Sequence, residues 1–227
     1  MSEPAPAPSK SESPINVIMT NDLKKAYKEI LEKYMDDRDF NENKILNWIN
    51  NILLDAKDYF IKKYPNYDLF LYCYACPKKV TFFSNSYSIS VEKIDWCDWV
   101  QFSTDKIYSI IYFFFYKHYK LKYSIDEYEN EIILKGNEFL EKYLEGRTYN
   151  YDKIKNFAGN INVDLTRFIL TKEKYCRVFF LNEIYQNPIK GKFFFKYLNY
   201  GKNIYSKIIL NYSNDSLKSY QYTFFFK

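Results

Sequence analysis

The residues EILEKYMDDRDFNENKILN, Glu29 to Asn47, return as EFLEKYLEGRTYNYDKIKN from Glu138 to Asn156. The stretches align without a gap at a spacing of 109, and identity continues through Asn51/Asn160, Ile52/Ile161 and Asp55/Asp164. Where identity lapses, apolar character persists, as at Trp48/Phe157, Tyr59/Phe168 and Ile61/Leu170. FSTDKIYSI at 102–110 faces YSNDSLKSY at 212–220, now 110 apart, so one residue has slipped in while register holds to the far end. A 227-residue chain with this pattern is a tandem pair of modules of about a hundred residues, and not a solenoid built from many short repeats.

Each half reads the same way. From Asn21, a candidate N-cap, Leu23, Tyr27, Ile30, Leu31 and Tyr34 recur at helical spacing with lysines and Glu29 outside, predicting an amphipathic helix. Asn41 can cap a second helix, whose stripe is Ile45, Trp48, Ile49, Ile52, Leu53, Ala56 and Phe60. Tyr64-Pro65-Asn66 ends it, because proline removes a donor and restricts the residue before it. Then come four segments rich in Phe, Tyr, Val and Ile: Leu69 to Ala75, Val80 to Ile89, Asp98 to Ser103 and Ile107 to Tyr116. The second half repeats the order, with helices at 130–145 and 151–170 and strands at 175–184, 191–200, 203–212 and 218–226. The predicted fold class is α+β: two tandem helix–helix–four-strand antiparallel units, each with its helices on one face of its sheet, forming a pseudo-dimer. The expected organisation is a disordered tail at 1–20, a first domain at 21–117, a charged linker at 118–129 and a second domain at 130–227.

The sequence offers little catalytic chemistry. Cys73-Tyr74-Ala75-Cys76 matches a CxxC half-motif, but it sits at the end of a strand-like run, where positions i and i+3 point to opposite faces. A redox pair needs a helix N-terminus to activate the thiol, and zinc needs further ligands that the second half does not repeat. The only histidine, His118, falls in the Lys-rich linker, and five glycines leave no phosphate-cradling loop. Neither catalytic residues nor a metal or other cofactor are expected.

The first fourteen residues, MSEPAPAPSKSESP, carry no apolar core, and the longest apolar cluster, IYSIIYFFFY at 107–116, is about half of what a bilayer span needs. A soluble protein of a reducing compartment is expected. The 25 Tyr and 20 Phe read mainly as core, with base-stacking platforms as the alternative. Binding remains, and an edge strand with unpaired amides can accept another chain. The expected partner or dimer-edge strands are Val80-Thr81-Phe82-Phe83 and a counterpart, Lys192-Phe193-Phe194-Phe195.

KILNWINNIL (44–53), YDLFLYCYACPKK (67–79) and VQFSTDKIYSIIYFFF (100–115) carry a resemblance to the Tctex-type dynein light chains. Ile45 and Trp48 fit that family's second-helix step, and Leu69, Phe70, Leu71 and Cys73 approximate its first strand. Phe102, Ser103–Lys106, Tyr108 and Ile110-Ile111 follow its last hairpin, as do Tyr212, Asn214-Asp215 and the strand to Phe226 in the second half, with Ile154 and Phe157 in the helix positions. The resemblance covers about 21–116 and 130–227. It implies a non-catalytic subunit that binds a dynein intermediate chain, or another axonemal or ciliary protein segment, by strand addition. A second Tctex-type light chain is a further implied partner, and cytoplasm, cytoskeleton and the cilium or axoneme the implied location. The alternative is a basic, aromatic-rich binder of single-stranded nucleic acid using Lys117–Tyr123 and Lys196–Lys202.

Overall fold

Asn41 and Asn150 do the same work 109 residues apart. In a computed structural model, which describes residues 14–78, 82–89, 96–117, 126–173, 176–186, 194–200 and 204–226, each begins a 22-residue helix. The Asn41 side chain accepts from the Asn43 N–H at 3.0 Å, and Asn150 from the Lys153 N–H at 3.1 Å, satisfying donors that a helix start leaves unpaired. The helices are α1 (Pro14–Met35), α2 (Glu42–Lys63), α3 (Glu129–Leu144) and α4 (Tyr151–Lys172), with a short 3-10 turn at Asp126–Tyr128 before α3.

Several of the residues that repeat identically hold each helical hairpin closed. Lys33 and Tyr34 donate to Asp55 at 2.8 and 2.9 Å, and Lys142 and Tyr143 donate to Asp164 at 2.9 and 2.7 Å. Arg38 lies 5.0 Å over the Trp48 ring, and Arg147 5.4 Å over Phe157. The first hairpin has an extra tie: Asp22 accepts from Tyr59, Tyr64 and Lys63. Burial pushes the Asp22 carboxyl up, and those bonds outweigh it, leaving it below the usual range.

Helix α1 corrects two expectations. It starts at Pro14, so Asn21 is not its cap and the stretch 14–20 is not a disordered tail; residues 1–13 lie outside the described chain. The apolar stripe continues upstream: Met19, 4% exposed, stands four residues before Leu23, and proline is compatible with a first helical turn.

The strands are β1 (Tyr67–Pro77), β2 (Phe82–Ile89), β3 (Trp96–Ser103), β4 (Ile107–Lys117), β5 (Arg177–Gln186), β6 (Phe194–Tyr200), β7 (Ile204–Ser213) and β8 (Leu217–Phe226). They make two four-stranded antiparallel sheets, of order β3-β4-β1-β6 and β2-β5-β8-β7. The expectation that each half closes its own sheet therefore fails. Strand β2 pairs with β5 of the second half, and β6 pairs with β1 of the first. Each sheet receives an equivalent element from the other half, the low-cost geometry of domain swapping.

Four layers result. Helices α1 and α2 cover one sheet over a core that includes Leu23, Tyr27, Ile49, Leu71 and Phe113. Helices α3 and α4 cover the other over Ile132, Ile161, Val178 and Phe225. The inner faces of the sheets meet in an aromatic layer of Phe70, Tyr72, Tyr74, Phe114, Tyr116, Phe179, Tyr222, Phe224 and Phe226. Phe70 alone touches Phe179, Phe224 and Phe226, with centroids 4.6 to 5.5 Å apart. Burying aromatic area on this scale is a dominant stabilising term, and it accounts for part of the aromatic content. Among the described residues no helix is long and apolar enough to cross a membrane.

Candidate functional site

Exchange places β6 and β2 at sheet ends: among the described residues, no strand pairs with the far side of either. Strand β6 is also thinly covered, since none of its seven residues is fully buried. Its inner face is anchored by aromatic contacts. Phe195 stacks on Tyr72 at 5.5 Å, and Tyr197 lies 6.0 Å from Phe70 and 5.7 Å from Phe224. The alternate residues Phe194, Lys196, Leu198 and Tyr200 turn toward α2, with Phe194 against Phe40 at 6.0 Å and Lys196 Nζ 3.4 Å from Asn50 Oδ1.

Asn50 identifies the flank of α2 that borders β6. Leu46 and Leu54, one turn before and after it, share that flank and remain 38% and 40% exposed. The outer edge of β6, unpaired among the described residues, thus lies beside an aliphatic row on a helix, a groove suited to an added strand. A shallow cleft of about 340 Å³, lined by Arg38, Asp39, Phe40, Asn41, Lys44 and Trp48, opens at the α1–α2 turn. Lys44 and Trp48 sit about 200° around the helix from Leu46, so the cleft and the groove are separate.

Helix α4 packs against β2 in the equivalent place, but Lys155, Gly159 and Val163 occupy the positions of Leu46, Asn50 and Leu54. A Cβ at Gly159 would meet nothing within 4 Å, so that row has a notch. The β3 edge is guarded by charge: Lys24 of α1 bridges to Asp98 at 2.6 Å, a device that discourages added strands.

One buried acid ties the two sheets together. Glu183 on β5, 3% exposed, accepts from Tyr72 of β1 at 3.0 Å and from Tyr185 at 2.6 Å, so a hydroxyl from each half holds one carboxylate. Burial pushes the Glu183 carboxyl up to about 7, although the phenolic hydrogen bonds, Tyr222's included, pull it down. Lys207 of β7 lies 4.9 Å over Tyr197 and 5.8 Å over Phe224, and burial lowers its pKa.

Of the expected edge residues, Phe82 and Phe83 fall in β2 opposite Tyr185 and Ile184, and Phe194 and Phe195 fall in β6 opposite Ala75 and Tyr74. Val80, Thr81, Lys192 and Phe193 lie outside the described residues. The match between the two segments shifts by one. Tyr74 and Glu183 are equivalent, and they face Phe195 and Ser84, so Phe195 corresponds to Ser84 and not to Phe83. A slip of one residue exchanges the faces of a strand.

Ile45, Cys73 and Ile154 are fully buried, and Trp48 and Phe157 sit half-buried beneath their arginines. Tyr108 is half-buried and donates to Gln101 Oε1 at 3.1 Å, and Tyr212 packs at the edge of the second core. Cys73 faces the helices and Cys76 the opposite sheet, and burial pushes both thiols up to about 12, so both stay protonated. His118 and most of the linker lie outside the described residues, and no group of potential metal ligands occurs among those described. Sequence reasoning missed Glu183 and the Leu46/Leu54 row. Both are visible in the chain, the first as an acid inside RVFFLNEIY, the second as leucines just beyond the main stripe.

The chain matches no protein-family model and no curated protein.

Proposed function

We propose that this protein is a non-catalytic, peptide-holding subunit that works as an intramolecular pseudo-dimer, in the manner of the Tctex-type dynein light chains its sequence resembles. The observation carrying this reading is the pair of exchanged strands: each ends its sheet beside a helix, with no strand on its far edge among the described residues. Joining two such modules in one chain replaces a bimolecular association with a local one at high effective concentration. It also releases the two grooves to diverge, as Asn50 and Gly159 have done. In this role the partner is a segment of a dynein intermediate chain or another axonemal or ciliary subunit, and the protein resides with the cytoskeleton. The aromatic layer supports it over the nucleic-acid alternative, because among the described residues only Trp99, Tyr151, Phe195 and Tyr197 present well-exposed rings on which a base could stack.

The test is affinity capture with the full chain and a Leu54→Asp variant, alongside sedimentation. Recovery of dynein or axonemal chains by wild type and their loss from the variant, with a free chain that sediments as one unit, supports the proposal. Salt-sensitive retention of single-stranded oligonucleotides with no such partners overturns it.

A further inference from the structure

Lys196 is a half-buried cation whose one described polar partner is an amide oxygen, Asn50 Oδ1 at 3.4 Å. Among the described residues no carboxylate lies within ion-pair distance of it, and the β6 residues turned toward α2 include no acid. Further along the same flank of α2 stands Lys57, whose Asp58 partner at 3.0 Å is on the exposed side of the helix. The groove is thus aliphatic at Leu46 and Leu54 and positive between and beyond them. A cation this covered gains from a carboxylate delivered along the strand edge, because a charge-assisted bond is stronger than one to a neutral amide.

We propose that the groove between α2 and β6 takes an extended acidic–aliphatic peptide, of pattern aliphatic–x–Asp or Glu–x–aliphatic, with its carboxylate on Lys196 and its flanking side chains on Leu46 and Leu54. The spacing follows from two repeats. Four residues of helix rise about 6 Å, and two residues of strand advance about 6.7 Å, so Leu46, Asn50 and Leu54 meet alternate residues of a strand lying alongside. The second groove does not offer the same surface. It has a lysine at the position of Leu46, open space at Gly159, and Asn85 at the register position of Lys196. One peptide therefore binds per chain. The inference rests on the strand-addition reading and adds the chemistry of the strand.

The test is fluorescence anisotropy with a short labelled peptide carrying Leu-x-Asp-x-Leu, and its twin carrying Lys for Asp, titrated with the full chain. The expected result is one-to-one binding of the acidic peptide. Lys196→Glu and Leu54→Asp should each weaken it about tenfold or more, and Lys196→Glu should reverse the preference toward the lysine peptide. Val163→Asp, in the other groove, should leave binding unchanged. All three substitutions are at partly exposed positions, and unfolding midpoints check that each variant is folded. Binding insensitive to Lys196→Glu, or lost equally with Val163→Asp, overturns the proposal. A displayed library of random strands separates the two levels. Binders that protect β6 from hydrogen exchange but carry no acid sink the acidic preference and leave strand addition standing, whereas a library that yields no binder at the β6 edge sinks both.

Discussion

Replacing Glu183 with Gln should stabilise the protein, and by an amount that grows with pH. Folding takes this carboxyl from an ordinary value of 4.5 to about 7 because it is buried between the sheets. The folded chain therefore holds the proton more tightly than the unfolded chain. The penalty is absent below pH 4.5, builds as pH rises toward 7, and is complete above it. A shift of this size corresponds to about 3 kcal/mol at most, at 1.36 kcal/mol per pH unit. Gln cannot ionise, yet its amide oxygen still accepts from Tyr72 or Tyr185 and its nitrogen can donate to the other phenol oxygen. Urea unfolding of both proteins at pH 5, 6, 7 and 8 isolates the effect, since groups outside the cluster cancel in the difference. We expect the variant's advantage to be small at pH 5 and to reach about 1–3 kcal/mol at pH 8. A difference that does not change with pH, or that shrinks as pH rises, would refute the idea that burial dominates at this carboxylate.

Native alkylation should modify Cys97 first, because it is half-exposed, while Cys73, Cys76 and Cys176 are buried and burial pushes each thiol up to about 12; mass spectrometry of the labelled chain checks the order. Asn41→Ala and Asn150→Ala each remove a helix cap and should cost about 1 kcal/mol in denaturant unfolding, a similar loss in both halves. Asp164→Asn should lower stability by up to about 1 kcal/mol at neutral pH, a modest figure for a partly exposed carboxylate. The bonds from Tyr143 and Lys142 hold the Asp164 carboxyl below its ordinary 3.8, so its contribution is present above that value and fades as pH falls through the lower folded value. A deficit that persists undiminished in acid would contradict this.

The helices were legible because their signals are local. Asn41 caps where the sequence places it, its repeat Asn150 does the same, Tyr64-Pro65 ends α2, and the pairs Lys33/Lys142, Tyr34/Tyr143 and Asp55/Asp164 are identical because they make the same bonds. The start of α1 was not, since a Pro- and Ser-rich leader masked the stripe that begins at Met19. Strand exchange was invisible for a deeper reason. A duplicated sequence presents two equivalent vacancies, and the local pattern of β2 or β6 fits either sheet equally well. Glu183 escaped notice because β1 and β5 are buried on both faces. Their apolar runs do not alternate, and nothing local shows which residues face the seam.

The register of β6 against β1 puts Lys196 opposite the native Cys73, and paired residues in antiparallel strands have Cα atoms about 4.5–5.5 Å apart, within disulfide reach. Oxidation of a Lys196→Cys variant, followed by proteolysis and mass spectrometry, therefore reports directly on which half owns β6. Exchange predicts a cross-link between positions 73 and 196. If that link fails to form while a Cys73→Ala/Asn182→Cys/Lys196→Cys chain cross-links 182 to 196, each half keeps its own strand and the account is wrong.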